Sequence, residues 1–110
     1  KELTTVQSYG EGKVALVTYG STTSSVLEAS KHLEKVRVVQ VIYLEPFPIW
    51  AVEKALEGVE KIVTIELSVS GQFTTLLKNN GIHADNSVRK YDGRPFDPVD
   101  LANRIKEVMG

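Results

Sequence analysis

One pattern is written four times along this chain of 110 residues: a β-branched run, a tight polar or proline-bearing loop, then an amphipathic helix. Val14–Tyr19 leads into Gly20-Ser21-Thr22-Thr23-Ser24-Ser25, and residues 36–44 lead into Glu45-Pro46-Phe47-Pro48. Residues 61–67 lead into Ser68-Val69-Ser70-Gly71-Gln72, and residues 87–91 lead into Asp92-Gly93-Arg94-Pro95-Phe96-Asp97-Pro98. Strand and helix periods that alternate in this way predict a parallel sheet covered by helices on both faces. In such sheets the functional edge is formed by the loops at the carboxyl ends of the strands. All four polar loops fall on that edge.

The helices are marked by their apolar spacing. Val26, Ala29, Ser30 and Leu33 recur at one-face positions, and Trp50, Val52, Glu53, Ala55, Leu56 and Val59 give a short helix that Gly58 can stop. Phe73, Leu76 and Leu77 point inward from a helix capped by Ser70. Asp97-Pro98 supplies an N-cap and a first-turn proline for a last helix carrying Leu101, Ala102, Ile105, Val108 and Met109. The start of the first helix has two readings: a cap at Ser21 or Thr22, or a capping box between Ser25 and Glu28. Residues 2–9 form a weaker strand candidate with Leu3 and Val6 apolar, and residues 79–86 are the one long irregular stretch. Arg37 and Gln40 interrupt the longest strand and are expected at its wet end or on a less covered face.

Charge and composition narrow the functional classes. A formal net charge of −1 offers no clustered basic surface for nucleic acid or anionic membrane. No run reaches the roughly 18 apolar residues of a membrane span, and no secretory signal opens the chain. With 0 cysteines, the chain has no thiolate nucleophile, disulfide or iron–sulfur ligand set. The first residue is Lys1 rather than methionine, so the chain is expected to be one domain, residues 1–110, excised from something longer.

Each polar loop has a chemical reading and a plainer one. Gly20 to Ser25 carries hydroxyls and free amides at a helix N-terminus, which suits an anion. It lacks a Walker lysine and the dinucleotide glycine spacing, leaving a flavodoxin-like phosphate or flavin module as one reading and simple helix capping as the other. Glu66, ending a buried strand ahead of Ser70-Gly71-Gln72, is either a general base or a structural group paired with backbone amides or a partner domain. No second carboxylate or histidine is placed to work with it. His32 and His83 have no ligand-spaced neighbours. Tyr43, Phe47 and Trp50 crowd one loop–helix junction, where stacking on a ring is one reading and core filling beside Pro46 and Pro48 the simpler one.

Taken in order, Tyr19-Gly20-Ser21-Thr22, Glu45-Pro46-Phe47-Pro48, Glu66 with Ser70-Gly71-Gln72, and Tyr91-Asp92-Gly93-Arg94-Pro95-Phe96 carry a resemblance. The chain resembles the C-terminal, transketolase-C-like domain of the alpha subunit of 2-oxoacid:ferredoxin oxidoreductases, from about Val14 to its end, with residues 3–9 fitting that family's first, antiparallel strand. One departure is Ser68, where the family usually has asparagine. The resemblance implies a three-layer α/β/α fold with a mixed, mostly parallel five-stranded sheet. For the parent enzyme it implies oxidative decarboxylation of a 2-oxoacid with coenzyme A and oxidised ferredoxin, using thiamine diphosphate, Mg2+ and iron–sulfur clusters in the cytoplasm. The glutamate that activates thiamine in this family lies in an earlier domain of the alpha chain. Asp92-Gly93-Arg94 is not the family's metal-diphosphate motif, because Tyr91 replaces the leading glycine and Asn103 stands too close. The implied role is therefore a non-catalytic docking domain that binds no cofactor itself. Gly20, Ser21, Thr22, Glu66, Ser70, Gly71 and Gln72 would face the thiamine-binding domain of the same chain or a beta subunit.

Overall fold

The computed structural model describes residues 6–19, 22–42, 49–66, 72–89 and 97–109. In chain order the elements are β1 (Val6–Tyr9), β2 (Val14–Tyr19), α1 (Thr22–Ser30), β3 (Val36–Val41), α2 (Ile49–Ala55), β4 (Lys61–Glu66), α3 (Gln72–Asn79), β5 (Asn86–Arg89) and α4 (Pro98–Met109). The five strands form one sheet in the order β1-β3-β2-β4-β5. Four run parallel, and β1 pairs antiparallel with β3, setting Val6 opposite Val41 and Tyr9 opposite Val38. The mixed, mostly parallel three-layer architecture expected from the sequence is the one observed.

The period-2 alternation of the strands sorts their side chains into two cores. Leu16, Val38, Val63, Ile65 and Val88 pack against Val26 and Ala29 of α1 and Leu101, Ala102 and Ile105 of α4. On the other face Ala15, Val17, Val39 and Val41 meet Val52 of α2 and Phe73 and Leu77 of α3. The central strands are apolar on consecutive residues because both of their faces are covered.

At the amino edge the chain closes tightly. A Cβ on Gly12 would lie 2.2 Å from the Lys35 carbonyl carbon, so only glycine admits this approach of two backbones. Arg37, the second residue of β3, is half-buried on the α2 face of the sheet near the amino edge, under the helix's last turn. Its guanidinium donates to the carbonyls of Gly12 at 2.7 Å, Ala55 at 3.0 Å, Glu57 at 2.9 Å and Glu11 at 3.3 Å. This cation at the C-terminus of α2 satisfies carbonyls that the helix leaves open. Gly58, at φ +78°, then turns the chain out of α2.

Several expected details are corrected. Helix α1 already includes Ser25, so Ser25 and Glu28 do not form a capping box. Strand β3 ends at Val41, and α2 ends at Ala55, with Leu56 to Gly58 in turns. Trp50 fills no core: it is 83% exposed. Tyr43 and Phe47 lie outside the described residues, as do Pro46, Pro48 and Ser68 and the stretch from Tyr91 to Phe96.

Candidate functional site at the strand switch point

The chain passes from β2 to β3 on one side and later to β4 on the other, so the strand order reverses between β2 and β4. In open α/β sheets the crevice at such a reversal is the ligand-binding position. Here it lies between Tyr19, ending β2, and Glu66, ending β4.

Among the described residues, the β4 side of that position is taken by Glu66 and its partners on α3. Glu66 is fully buried. Its Oε1 accepts the Phe73 amide at 3.1 Å, and its Oε2 accepts the Thr74 amide at 3.1 Å and the Thr74 hydroxyl at 2.5 Å. The last residue of β4 therefore supplies the anion that the open amides and dipole of the α3 N-terminus attract. The Thr74 oxygen also lies 2.8 Å from Thr64 Oγ1 and 3.2 Å from Ser87 Oγ. A hydroxyl has one proton, and that of Thr74 goes to Glu66, so Thr64 and Ser87 donate to Thr74. Beside this network Tyr19 and Phe73 pack with ring centroids 4.5 Å apart at 39°.

On the opposite face the crevice is less complete. Thr18, completely buried, and Thr23, 5% exposed, have hydroxyls with no hydrogen-bond partner among the described residues. Thr18 shares the face of Leu16 by strand alternation, and Thr23 precedes Val26 by one helical turn. Both hydroxyls thus lie between the end of β2 and the first turn of α1.

Of the candidate residues read from the sequence, Thr22 opens α1, Gln72 opens α3 and Glu66 ends β4. Gly20, Ser21, Ser70 and Gly71 lie outside the described residues. Both histidines are exposed and sit near the opposite, amino edge, far along the chain from Glu66. Among the described residues no group of three or more His, Cys, Asp or Glu side chains could hold a metal ion. Asn103 is exposed midway along α4. The described residues therefore do not fit a magnesium–diphosphate site, and a chain without cysteine does not fit a cluster ligand set. No helix among the described residues is long and apolar enough to cross a membrane.

The hydroxyl network around Thr74 was missed in the sequence. Its available signal was Thr64 and Glu66, two polar residues spaced by two within a run otherwise apolar, which places them on one face.

Comparison with known proteins adds a consistent set of likenesses. Residues 12–101 match the family described as pyruvate:ferredoxin oxidoreductase core domain II. The chain is 39% identical over 104 residues to subunit alpha of 2-oxoacid:ferredoxin oxidoreductase 2 from Aeropyrum pernix, covering 90% of this chain and 16% of that protein. It is 34% identical over 111 residues to the corresponding subunit alpha from Saccharolobus solfataricus, covering 94% and 18%. The chain thus spans less than a fifth of the length of these curated relatives. In structure it is similar to a 2-oxoglutarate:ferredoxin oxidoreductase from Magnetococcus marinus, solved with 2-oxoglutarate, coenzyme A and succinyl-CoA bound. That likeness has a TM-score of 0.87 at 25% identity and covers 98% of this chain and 20% of that one. The alpha chain of a probable 2-oxoacid ferredoxin oxidoreductase from Thermoplasma acidophilum shares the fold, with a TM-score of 0.63 at 22% identity over 96% of this chain and 97% of that one.

Proposed function

Since the chain belongs to the family of pyruvate:ferredoxin oxidoreductase core domain II, we propose that it is a non-catalytic assembly domain of the alpha subunit of a 2-oxoacid:ferredoxin oxidoreductase. The complete enzyme converts a 2-oxoacid, coenzyme A and oxidised ferredoxin into acyl-CoA, carbon dioxide and reduced ferredoxin. Thiamine diphosphate, Mg2+ and iron–sulfur clusters belong to its other parts, and the whole works in the cytoplasm. This domain docks its carboxyl-edge loops on the thiamine-binding domain of the same chain and on a beta subunit.

One observation carries the non-catalytic reading: the carboxylate at the switch point is fully occupied within the domain. Glu66 takes three hydrogen bonds from Phe73 and Thr74, and no hydrogen bond joins it to an acidic or imidazole side chain among the described residues. A general base needs a proton to abstract within hydrogen-bond reach, and this carboxylate faces its own helix. The family match likewise favours an oxidoreductase domain over a flavodoxin-like carrier built on Gly20 to Ser25.

The test compares the full-length alpha subunit with a version lacking this segment, each co-expressed with the beta subunit. The expected result is that the deleted version no longer co-purifies with its partner. The 110-residue chain alone should show no binding of thiamine diphosphate by titration calorimetry, and measurable binding would overturn the reading.

A further inference from the structure

Trp50 is the least explained side chain in the molecule. Tryptophan is among the most buried residue types on average, yet this indole is 83% exposed at the second position of α2. It has company. Ile42, just past the end of β3, is 43% exposed, and Val99, the second residue of α4, is 55% exposed. Because α2 follows β3 and α4 follows β5, all three stand at the carboxyl edge of the sheet. The fourth large exposed apolar side chain among the described residues, Tyr9, lies on β1 and reaches Gln40 with its hydroxyl at 3.4 Å. The amino edge has a different character: Lys31, His32, Glu34, Lys35, Glu57 and Glu60 are exposed there. Among the described residues, the exposed groups named at the amino edge are charged or imidazole side chains, whereas at the carboxyl edge apolar groups are left uncovered beside the exposed Asp97 and Asp100.

The direction of β1 narrows the choice of occupant. It runs antiparallel to β3, with Val6 opposite Val41, the last residue of that strand. Strand β1 therefore begins at the carboxyl edge, with Val6 standing there. Val6 also shares a groove with Ala51, the residue that follows Trp50 on α2. In the curated relatives more than four-fifths of the same polypeptide lies outside the matched region.

We propose that Trp50, supported by Ile42, is the anchor that seats this domain on the polypeptide preceding Val6 in the intact alpha subunit. The inference rests on the assembly reading above and names the partner and the contact. The indole inserts into an apolar cleft of the preceding domain, in the manner of the tryptophan anchors that dominate protein interfaces. Covalent linkage makes the contact effectively intramolecular, so a modest apolar area suffices to hold it closed.

Hydroxyl-radical footprinting of the intact full-length subunit, read by mass spectrometry, tests this directly, with exposed Tyr9 and His32 as internal references. Trp50 should be oxidised roughly ten-fold more slowly than in the 110-residue chain, as befits a desolvated anchor. The protection should be present in the alpha subunit alone and independent of its concentration. Protection that appears only with the beta subunit, or that fades on dilution, would assign the indole to another chain or a second copy and overturn the proposal. If Trp50 reacts freely while Ile42 and Val99 are protected, the anchor assignment fails and the assembly reading stands. If all three react freely, both fail. As a second readout, Trp50→Ser in the full-length subunit should speed proteolytic cleavage just before Val6, whereas Trp50→Phe should restore most of the resistance.

Discussion

At the scale of single residues, Glu66 shows how a buried charge is kept in a small domain. Two amides and a hydroxyl converge on its carboxylate, and that hydroxyl is itself held by Thr64 and Ser87. Glu66→Gln turns an NH2 group toward donors that need an acceptor. The chain should lose about 1–3 kcal/mol, measured by urea denaturation. Thr74→Val removes the hub of the network, and by the same measurement it should cost about 1–2 kcal/mol. Because both act on one network, the double variant should lose less than the sum of the two. The sequence marks Glu66 as a candidate, with pairing to backbone amides as one of its readings. It could not show which amides, because the partner helix begins after a loop whose path no local rule determines.

At the scale of elements, most of the architecture was legible. The buried strands are continuous β-branched runs, and Asp97-Pro98 reads as a helix start without any tertiary information. The structure shows Asp97 Oδ2 accepting the Asp100 amide at 3.1 Å, the bond that an N-cap side chain makes. Asp97→Ala should therefore cost about 0.5–2 kcal/mol, again by denaturant titration, while Asp97→Ser should recover most of it. Two readings failed for identifiable reasons. The Ser25–Glu28 pair has capping-box spacing, but Thr22, Thr23 and Ser24 continue the helix upstream, and spacing alone does not distinguish a cap from a first turn. The crowding of Tyr43, Phe47 and Trp50 beside Pro46 and Pro48 reads most simply as core, which Trp50 does not join. On α2 the inward position is taken by Val52, and the indole, two residues earlier and so on another side of the helix, is left outside.

At the scale of the whole molecule, stability is concentrated in the middle of the sheet. Strand β2 is paired on both sides, to β3 and to β4, and each of its faces is covered by a core. The amides of β2 and the adjoining part of β4 should exchange with solvent only through global unfolding, and those of β1 through local opening of the edge. Hydrogen exchange followed by mass spectrometry should resolve the two classes. A parallel sheet offers few short-range shortcuts, since each strand meets its neighbour only after an intervening helix. The crossovers could be read from the alternating periods. The final strand order could not, because apolar runs of similar composition pair equally well in several sequences of neighbours.

The unanswered hydroxyls of Thr18 and Thr23 make the domain a gauge of its own surroundings. Thr18→Val exchanges a stranded oxygen for a methyl group, and in the free chain it should raise stability by about 1 kcal/mol, visible as a higher melting temperature. Measured again inside the intact enzyme, a reversal of sign would mean that a neighbouring polypeptide reaches in to meet the oxygen. An unchanged sign would mean that the roof over β2 is finished without outside help.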